Sequence, residues 1–369
     1  MSQPSQKSKL VLPMLPRSPH ESHRVSTTLE LLFDLVFVVA IAQASSSLHH
    51  GIAEAHFSEA IISYVMVFCG IWWAWMSFTW FASAYDVDDV PYRFMVFIQL
   101  FGALIFAAGI PDFVKGDLTI GVFGYVVMRI AMIIQWLRAA QADPLRRKTA
   151  QRYALGIGLC QVVWVLLLFF PREWYYPGFF AFILIELFVP IWAERAERTT
   201  WHPHHIAERY GLFTIIVLGE SILSLSLGIR SVLESGEFSP TLVGIVIGGL
   251  LIIFSMWWAY FDWPMQHLLT SFRRVFLWGY GHYFIFAAAA AVGAGLAAEI
   301  DYATHHTKIS AVTAGVAVAL PVAIFLTLLW LLFGAYKNHI PCRGFLFLRF
   351  ICAPDIATHI ASYNTHPLA

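Results

Sequence analysis

The sequence predicts an all-α fold: a polytopic helical bundle that crosses a membrane ten times. Three observations predict it. The 369 residues are 59% hydrophobic and only 12% charged, about half the charged share of a soluble domain. Mean hydropathy is +0.68. Ten windows of the length a bilayer requires, about 20 apolar residues each, follow one another with turn and charge signals between them.

Residues 1–28 are polar, carry Lys7, Lys9, Arg17 and Arg24, and lack the apolar core of a signal peptide. They are expected to be a cytoplasmic N-terminal segment, with the first span as insertion signal. The transmembrane region is 29–335. Its first span, Leu29–Leu48, opens with Glu30 and Asp34 one helical turn apart. The second, Ser58–Ser83, holds IWWAWMSFTW, read as a mixture of interface anchoring and packing. Tyr92–Ile110 follows the turn signal YDVDDVP, and Leu118–Leu137 comes next. Tyr153–Phe170 follows ADPLRRK, and Tyr175–Ala193 follows FFPREWYYP. Ile206–Ile229 follows a His-rich stretch, TWHPHH. Thr241–Phe261 follows LESGEFSP and holds GIVIG, whose Gly244 and Gly248 read as a small-residue packing face. Val275–Ala298 carries His282, expected to be a hydrogen-bonded core residue. Ser310–Phe333 is the tenth. In the tail, 336–369, HIPCRGFLFLRFICA has an apolar run too short to cross; it is expected in the interface or on the inner face.

The positive-inside rule sets the orientation. With the N-terminus in the cytoplasm, the outer segments hold Lys115, Arg172, Arg230 and Lys308. Arg129 lies within a span, which leaves 18 of the 23 Lys and Arg inside. A miscounted helix would scramble that alternation. Both termini are therefore expected in the cytoplasm, and the chain in a bacterial inner membrane.

The net charge is zero, so no basic field exists to hold nucleic acid. Cys69, Cys160, Cys342 and Cys352 form no CxxC pair, and neither a disulfide nor a metal site is inferred from them. His204 or His205 with Glu208 stand at metal-compatible spacing, but at a membrane boundary where such residues are common. No nucleophile elbow, phosphate loop or HExxH occurs. The loops are too short for an extramembrane catalytic domain. The expectation is a non-enzyme with no cofactor, partnered by the lipid bilayer and an unidentified small solute or ion.

A parallel repeat relates spans 1–4 to spans 7–10. Trp72, Trp73 and Ala74 match Trp257, Trp258 and Ala259. At an offset of 180, Arg93 meets Arg273 and IFAA meets IFAA. The copies start six spans apart, so both face the same way. By analogy, transporters place their path at such an interface.

Charge inside a span costs roughly 2.5–3.5 kcal/mol on insertion scales. Four charges stand out: Asp34 in span 1, Arg129 in span 4, Glu186 in span 6 and Glu220 in span 7. At about 1.5 Å per residue, all fall in the inner half of the bilayer, with Glu220 about 16 Å past Arg209. One buried network is expected, with Asp34 and Arg129 as an ion pair. Glu30 reads either as a helix cap or, with Asp34, as part of a water-accessible inner vestibule leading toward Glu220. The site residues are Glu30, Asp34, Arg129, Glu186, Glu208, Arg209 and Glu220.

The stretches LELLFDLVFVVAIAQ and HIAERYGLFTIIVLGESI resemble the bacterial low temperature requirement A family. The first is similar to its LE-F-FDLVFV opening. The second is similar to its ERYGLF-IIxLGESI signature, covering Glu208, Arg209, Tyr210, Gly211 and Leu218 to Ile222. The resemblance spans about residues 24 to 335. It implies a multi-pass inner-membrane protein linked to growth in the cold, and it implies no established biochemical activity. The functional expectation is a transporter or ion-permeation protein that uses buried carboxylates. A structural or regulatory membrane protein with packing-only charges is the first alternative. A membrane-embedded enzyme acting on lipid is the second.

Overall fold

The computed structural model describes residues 10–22, 24–235, 239–263, 265, 269 and 272–334. Among them it contains eleven α-helices and one 3-10 turn. Ten of the helices are long and apolar enough to cross a membrane, one for each apolar window of the sequence. The interfacial reading of HIPCRGFLFLRFICA, with Cys342 and Cys352, lies outside the described residues.

Helix α1 (Thr28–Ala53) starts at a capping box. The Thr27 hydroxyl accepts the Glu30 amide, and the Glu30 carboxylate accepts the Thr27 amide at 2.7 Å. Two orphan donors of the first turn are thereby satisfied. Ala55, at φ 63°, turns the chain into α2 (Phe57–Tyr85). The YDVDDVP signal becomes a tight turn with Asp88 at φ 47°. Asp89 then caps α3 (Val90–Ala108), accepting the Tyr92 amide at 2.8 Å. The expected third span, Tyr92–Ile110, stops short at Ala108. Gly109 and Pro111 break it and start a separate short helix, α4 (Ile110–Val114).

Helices α5 (Thr119–Ala142), α6 (Arg147–Leu167) and α7 (Tyr175–Glu194) follow, and then α8 (Pro203–Ser235), α9 (Pro240–Phe261), α10 (Phe272–Ala303) and α11 (Ala311–Gly334). Several outrun their apolar windows. For example, α6 begins six residues before Tyr153, because RKTAQR is helical without being apolar.

The chain divides into two compact units. One comprises residues 1–220 with 305–310, the other residues 221–304 with 311–369. In the first, α1 packs on α2 and α3, α3 on α5, α5 on α6, and α6 on α7. Helices α3 and α5 approach at Gly102 and Gly124; a Cβ at Gly102 would stand 2.8 Å from the Gly124 carbonyl oxygen. In the second unit α10 packs on α11 and α9. There His282 is a core residue, as expected: its Nδ1 meets the Trp278 carbonyl at 2.7 Å and its Nε2 meets the Tyr260 hydroxyl at 3.1 Å. A carbonyl only accepts, so Nδ1 carries the proton and Tyr260 donates to Nε2.

One packing expectation is corrected and another is narrowed. Gly244 and Gly248 do not form the packing face of α9, since a Cβ on either would meet no described atom within 4 Å. The buried stripe of α9 runs through Leu242, Gly249, Ile253, Met256 and Tyr260, which puts both glycines on another face. Of the expected mixture in the Trp-rich run of α2, packing dominates: Trp72, Trp73 and Trp75 are at most 2% exposed, and Trp80 at its end is partly exposed. Their sequence matches Trp257 and Trp258 are about half exposed, at 48% and 54%.

Candidate functional site

Two separate sets of buried charges stand out in the first unit, beside Asp89 with Arg138, Asp143 with Arg146, and Glu194 with Tyr153 and Thr199. The larger gathers where α1, α3 and α8 begin and α2 ends. Arg209 of α8 is fully buried and reaches both acids of α1: Nη1 lies 3.3 Å from Glu30 Oε1, and Nη2 donates to Asp34 Oδ1 at 2.6 Å. The same Asp34 oxygen accepts Trp75 Nε1 at 2.7 Å. Trp75 is held in that pose by stacking on Phe213 at 4.2 Å and by an edge contact with Tyr210 at 5.0 Å. Phe78 supports the other side, stacked on Phe33 with the Arg209 guanidinium 5.9 Å from its ring centre.

Glu30 Oε1 also faces His205 Nε2 at 3.0 Å and Arg24 Nη2 at 3.2 Å. Arg24 continues to Asp86 Oδ2 at 3.6 Å, where Arg17 arrives at 3.7 Å. The coil before α1 that carries both arginines is fastened to the helix ends. The Arg17 amide donates to the Ala84 carbonyl, the Ser26 amide to Glu208 Oε1, and the Leu12 amide to Asp89. His202 Nδ1 accepts the His205 amide, so its protonated Nε2 donates to the Glu21 carbonyl at 3.0 Å. Burial lowers the pKa of His202 below the usual histidine value. Burial also pushes Asp86 up to about 6; Glu30 adds repulsion, and Arg24 and Arg17 oppose it.

This set is unevenly compensated. Glu30, Asp34 and Asp86 supply three buried carboxylates, met by two buried guanidiniums, Arg24 and Arg209, and by a third, Arg17, whose side chain is 27% exposed at the rim. Several buried polar atoms here make no hydrogen bond among the described residues, acceptors (Asp34 Oδ2, Asp86 Oδ2) and donors (Arg24 Nε, Arg209 Nε, the Tyr92 hydroxyl) alike. Native interiors leave few such atoms, and a cluster of them calls for an explanation.

The second set is nearly satisfied, with Arg129 Nε lacking a hydrogen bond among the described residues. Glu186 of α7 accepts the Tyr125 hydroxyl at 2.9 Å on one oxygen and Trp164 Nε1 at 2.7 Å on the other. Arg129 lies 3.4 Å from Glu186 and donates to Tyr125 at 2.7 Å. One carboxylate meets one guanidinium, and both acceptor oxygens are used. Beside it lies an apolar cavity of about 40 Å³, bounded by Tyr125, Trp164, Phe106 and Gly70 among others.

The expected single network is therefore two networks, and the expected Asp34–Arg129 pair does not form. Similar depth does not make two helices neighbours: α8 supplies the partner of Asp34, and α7 supplies the partner of Arg129. The expected water-accessible vestibule at Glu30 and Asp34 is corrected as well. The two acids are 0% and 1% exposed, so of the two expected ways of compensating Asp34, solvation or pairing, the structure shows pairing, with Arg209 as the cation. Glu30 proves to be both cap and network member. Glu208 binds the coil before α1, and His204 is exposed. Glu220 is 8% exposed, at the end of the first unit. Among the described residues, no three His, Cys, Asp or Glu side chains gather as a metal set.

Sequence reasoning missed Arg24, Asp86, His205, Trp75 and Tyr92 as members of the first set, and Tyr125 and Trp164 in the second. Asp86 and Arg24 lie outside the apolar windows and read as loop and tail. The aromatic donors carry no charge to mark them.

The profile described as bacterial low temperature requirement A protein matches residues 25–365. The chain belongs to the bacterial low temperature requirement A family. The match runs beyond the motifs and includes residues after 340, which the motif resemblance had left out. An uncharacterized protein of Rhizobium meliloti (strain 1021) is 30% identical over 274 residues, which is 69% of this chain and 64% of that protein. The aligned region thus spans less than two thirds of that relative's length. No solved structure matches this low temperature requirement A protein.

Proposed function

We propose that this low temperature requirement A protein is an ion-permeation protein of the inner membrane, with both termini cytoplasmic, and that protons pass through its first unit on buried carboxylates. The supporting observation is the first set itself: three buried acids gathered in the interior, one of whose three guanidiniums, Arg17, is only partly buried, with open acceptor positions on Asp34 and Asp86. Burying an uncompensated charge is costly. Asp86, whose pKa burial pushes up to about 6, and His205, 3.0 Å from Glu30, give the set groups that can take up and give back a proton. Glu220 lies eleven residues beyond Arg209, about 16 Å along α8, and serves as the next carboxyl on the path. Purified protein in liposomes tests this reading. Wild type carries a pH-dependent flux, Glu220→Gln folds and loses it, and Glu220→Asp keeps part of it. Wild-type flux in Glu220→Gln would remove Glu220 from the path.

The packing-only reading has its own observation and applies to the second set. Arg129, Glu186, Tyr125 and Trp164 form a neutral group with both Glu186 oxygens satisfied, which suits a clamp joining α5, α6 and α7. The parallel repeat is supported by one further likeness: α3 with α5 and α10 with α11 both meet through a glycine, Gly102 in one pair and Gly295 in the other.

A further inference from the structure

The Arg24 guanidinium is seated like a ligand. It is 2% exposed, and four oxygens surround its fork. Nη1 donates to the Val25 carbonyl at 2.8 Å. Nη2 meets Glu30 at 3.2 Å, the Ala82 carbonyl at 3.3 Å and Asp86 at 3.6 Å. Ala82 and Asp86 belong to the C-terminal end of α2, where the helix dipole presents its negative pole to a cation. The seat is thus built from α1 and α2, whereas its occupant arrives on a coil held by a handful of hydrogen bonds.

The fit of that occupant is incomplete. Asp86 Oδ2 is buried yet accepts no hydrogen bond, its two cations standing at 3.6 and 3.7 Å. The Tyr92 hydroxyl, 1% exposed at the residue level, is likewise unbonded and lies in the field of Asp86, Glu30 and Arg24. A planar cation free of the chain satisfies such oxygens better than a tethered one, because its donors take the in-plane fork geometry that carboxylates prefer.

We propose that the place Arg24 fills is a binding site for a small planar cation of the guanidinium class, with Arg24 as its tethered occupant. The inference names a ligand class for the site of the permeation reading, and rests on that reading only where transport is concerned. When the coil before α1 lifts, Glu30, Asp86 and the end of α2 become the cation-binding wall.

The test uses the full-length Arg24→Ala variant in detergent with methylguanidinium as probe and tetramethylammonium as control of equal charge. Methylguanidinium is expected to raise the unfolding midpoint of Arg24→Ala and to leave wild type, whose site is filled, unmoved. The half-effect concentration then reads the affinity of the free cation for the vacated seat. Adding Asp86→Asn should weaken the response about tenfold, the loss of one charge-assisted contact. If Arg24→Ala does not fold, Arg24→Gln, two atoms shorter but polar and with an amide donor, gives the same readout. Equal stabilisation by both cations, or none by either, overturns the site. Flux is measured separately on liposomes. Selective stabilisation without proton or guanidinium flux keeps the site and sinks the permeation reading; proton flux without selective stabilisation sinks the site alone.

Discussion

Double-mutant cycles on Arg129 decide whether the two charge sets are energetically separate. At 3.4 Å from Glu186, with an effective dielectric of about 20, the Coulomb attraction is about 5 kcal/mol. Arg129→Leu removes that attraction and leaves Glu186 charged in the interior, with only Tyr125 and Trp164 donating to it. Breaking one side of a buried pair costs about 3–5 kcal/mol, while replacing both with apolar residues is often near neutral. Arg129→Leu should therefore lose about 3–5 kcal/mol in reversible unfolding from mixed micelles. Arg129→Leu/Glu186→Leu should recover most of it. Asp34→Leu/Arg129→Leu should show additive losses, because the two residues share no partner. Additivity for Arg129 with Glu186, or recovery for Asp34 with Arg129, would refute the assignment of partners.

Other outcomes follow from the same geometry. Asp86 has a folded-state pKa raised to about 6 from an ordinary 3.8, so between those values the folded state binds more protons and stability falls as pH rises. Asp86→Asn, which faces the same Arg24, Arg17, Glu30, Asp88 and Tyr92, should remove that slope in a titration of unfolding midpoint from pH 4 to about 6; an unchanged slope would assign it to another group. Gly124→Ala puts a Cβ against the Gly102 carbonyl oxygen at 2.7 Å and should cost about 1–3 kcal/mol by overpacking, read in the same unfolding assay. Cysteine labelling from either side of the membrane should place position 147 inside and positions 115, 230 and 308 outside.

The ten spans were legible because lipid imposes a length and an apolarity that any window shows. Turn chemistry was legible too: Asp89 and Pro91 announce the start of α3. The charged residues of the site were legible as violations of that apolarity, which is how Asp34, Arg129 and Glu186 were found. Their partners were not. Depth along a helix follows from sequence, but lateral neighbours follow from packing, and Arg209 stands 175 residues from Asp34. Neutral donors such as Trp75 and Tyr125 look like ordinary aromatic core until a carboxylate is placed beside them. The coil before α1 was read as a polar tail, since nothing in its composition shows that Arg24 is buried.

The most direct measurement is proton uptake into liposomes holding the purified protein, driven by a pH gradient with membrane potential clamped. Asp34→Asn keeps the acceptor for Trp75 and removes the charge that faces Arg209. Wild type should acidify the lumen faster than empty liposomes, Asp34→Asn should fall to the empty-liposome rate, and Arg129→Leu/Glu186→Leu should stay near wild type. Wild-type uptake no faster than that of empty liposomes, or full uptake by a folded Asp34→Asn variant, would contradict the account.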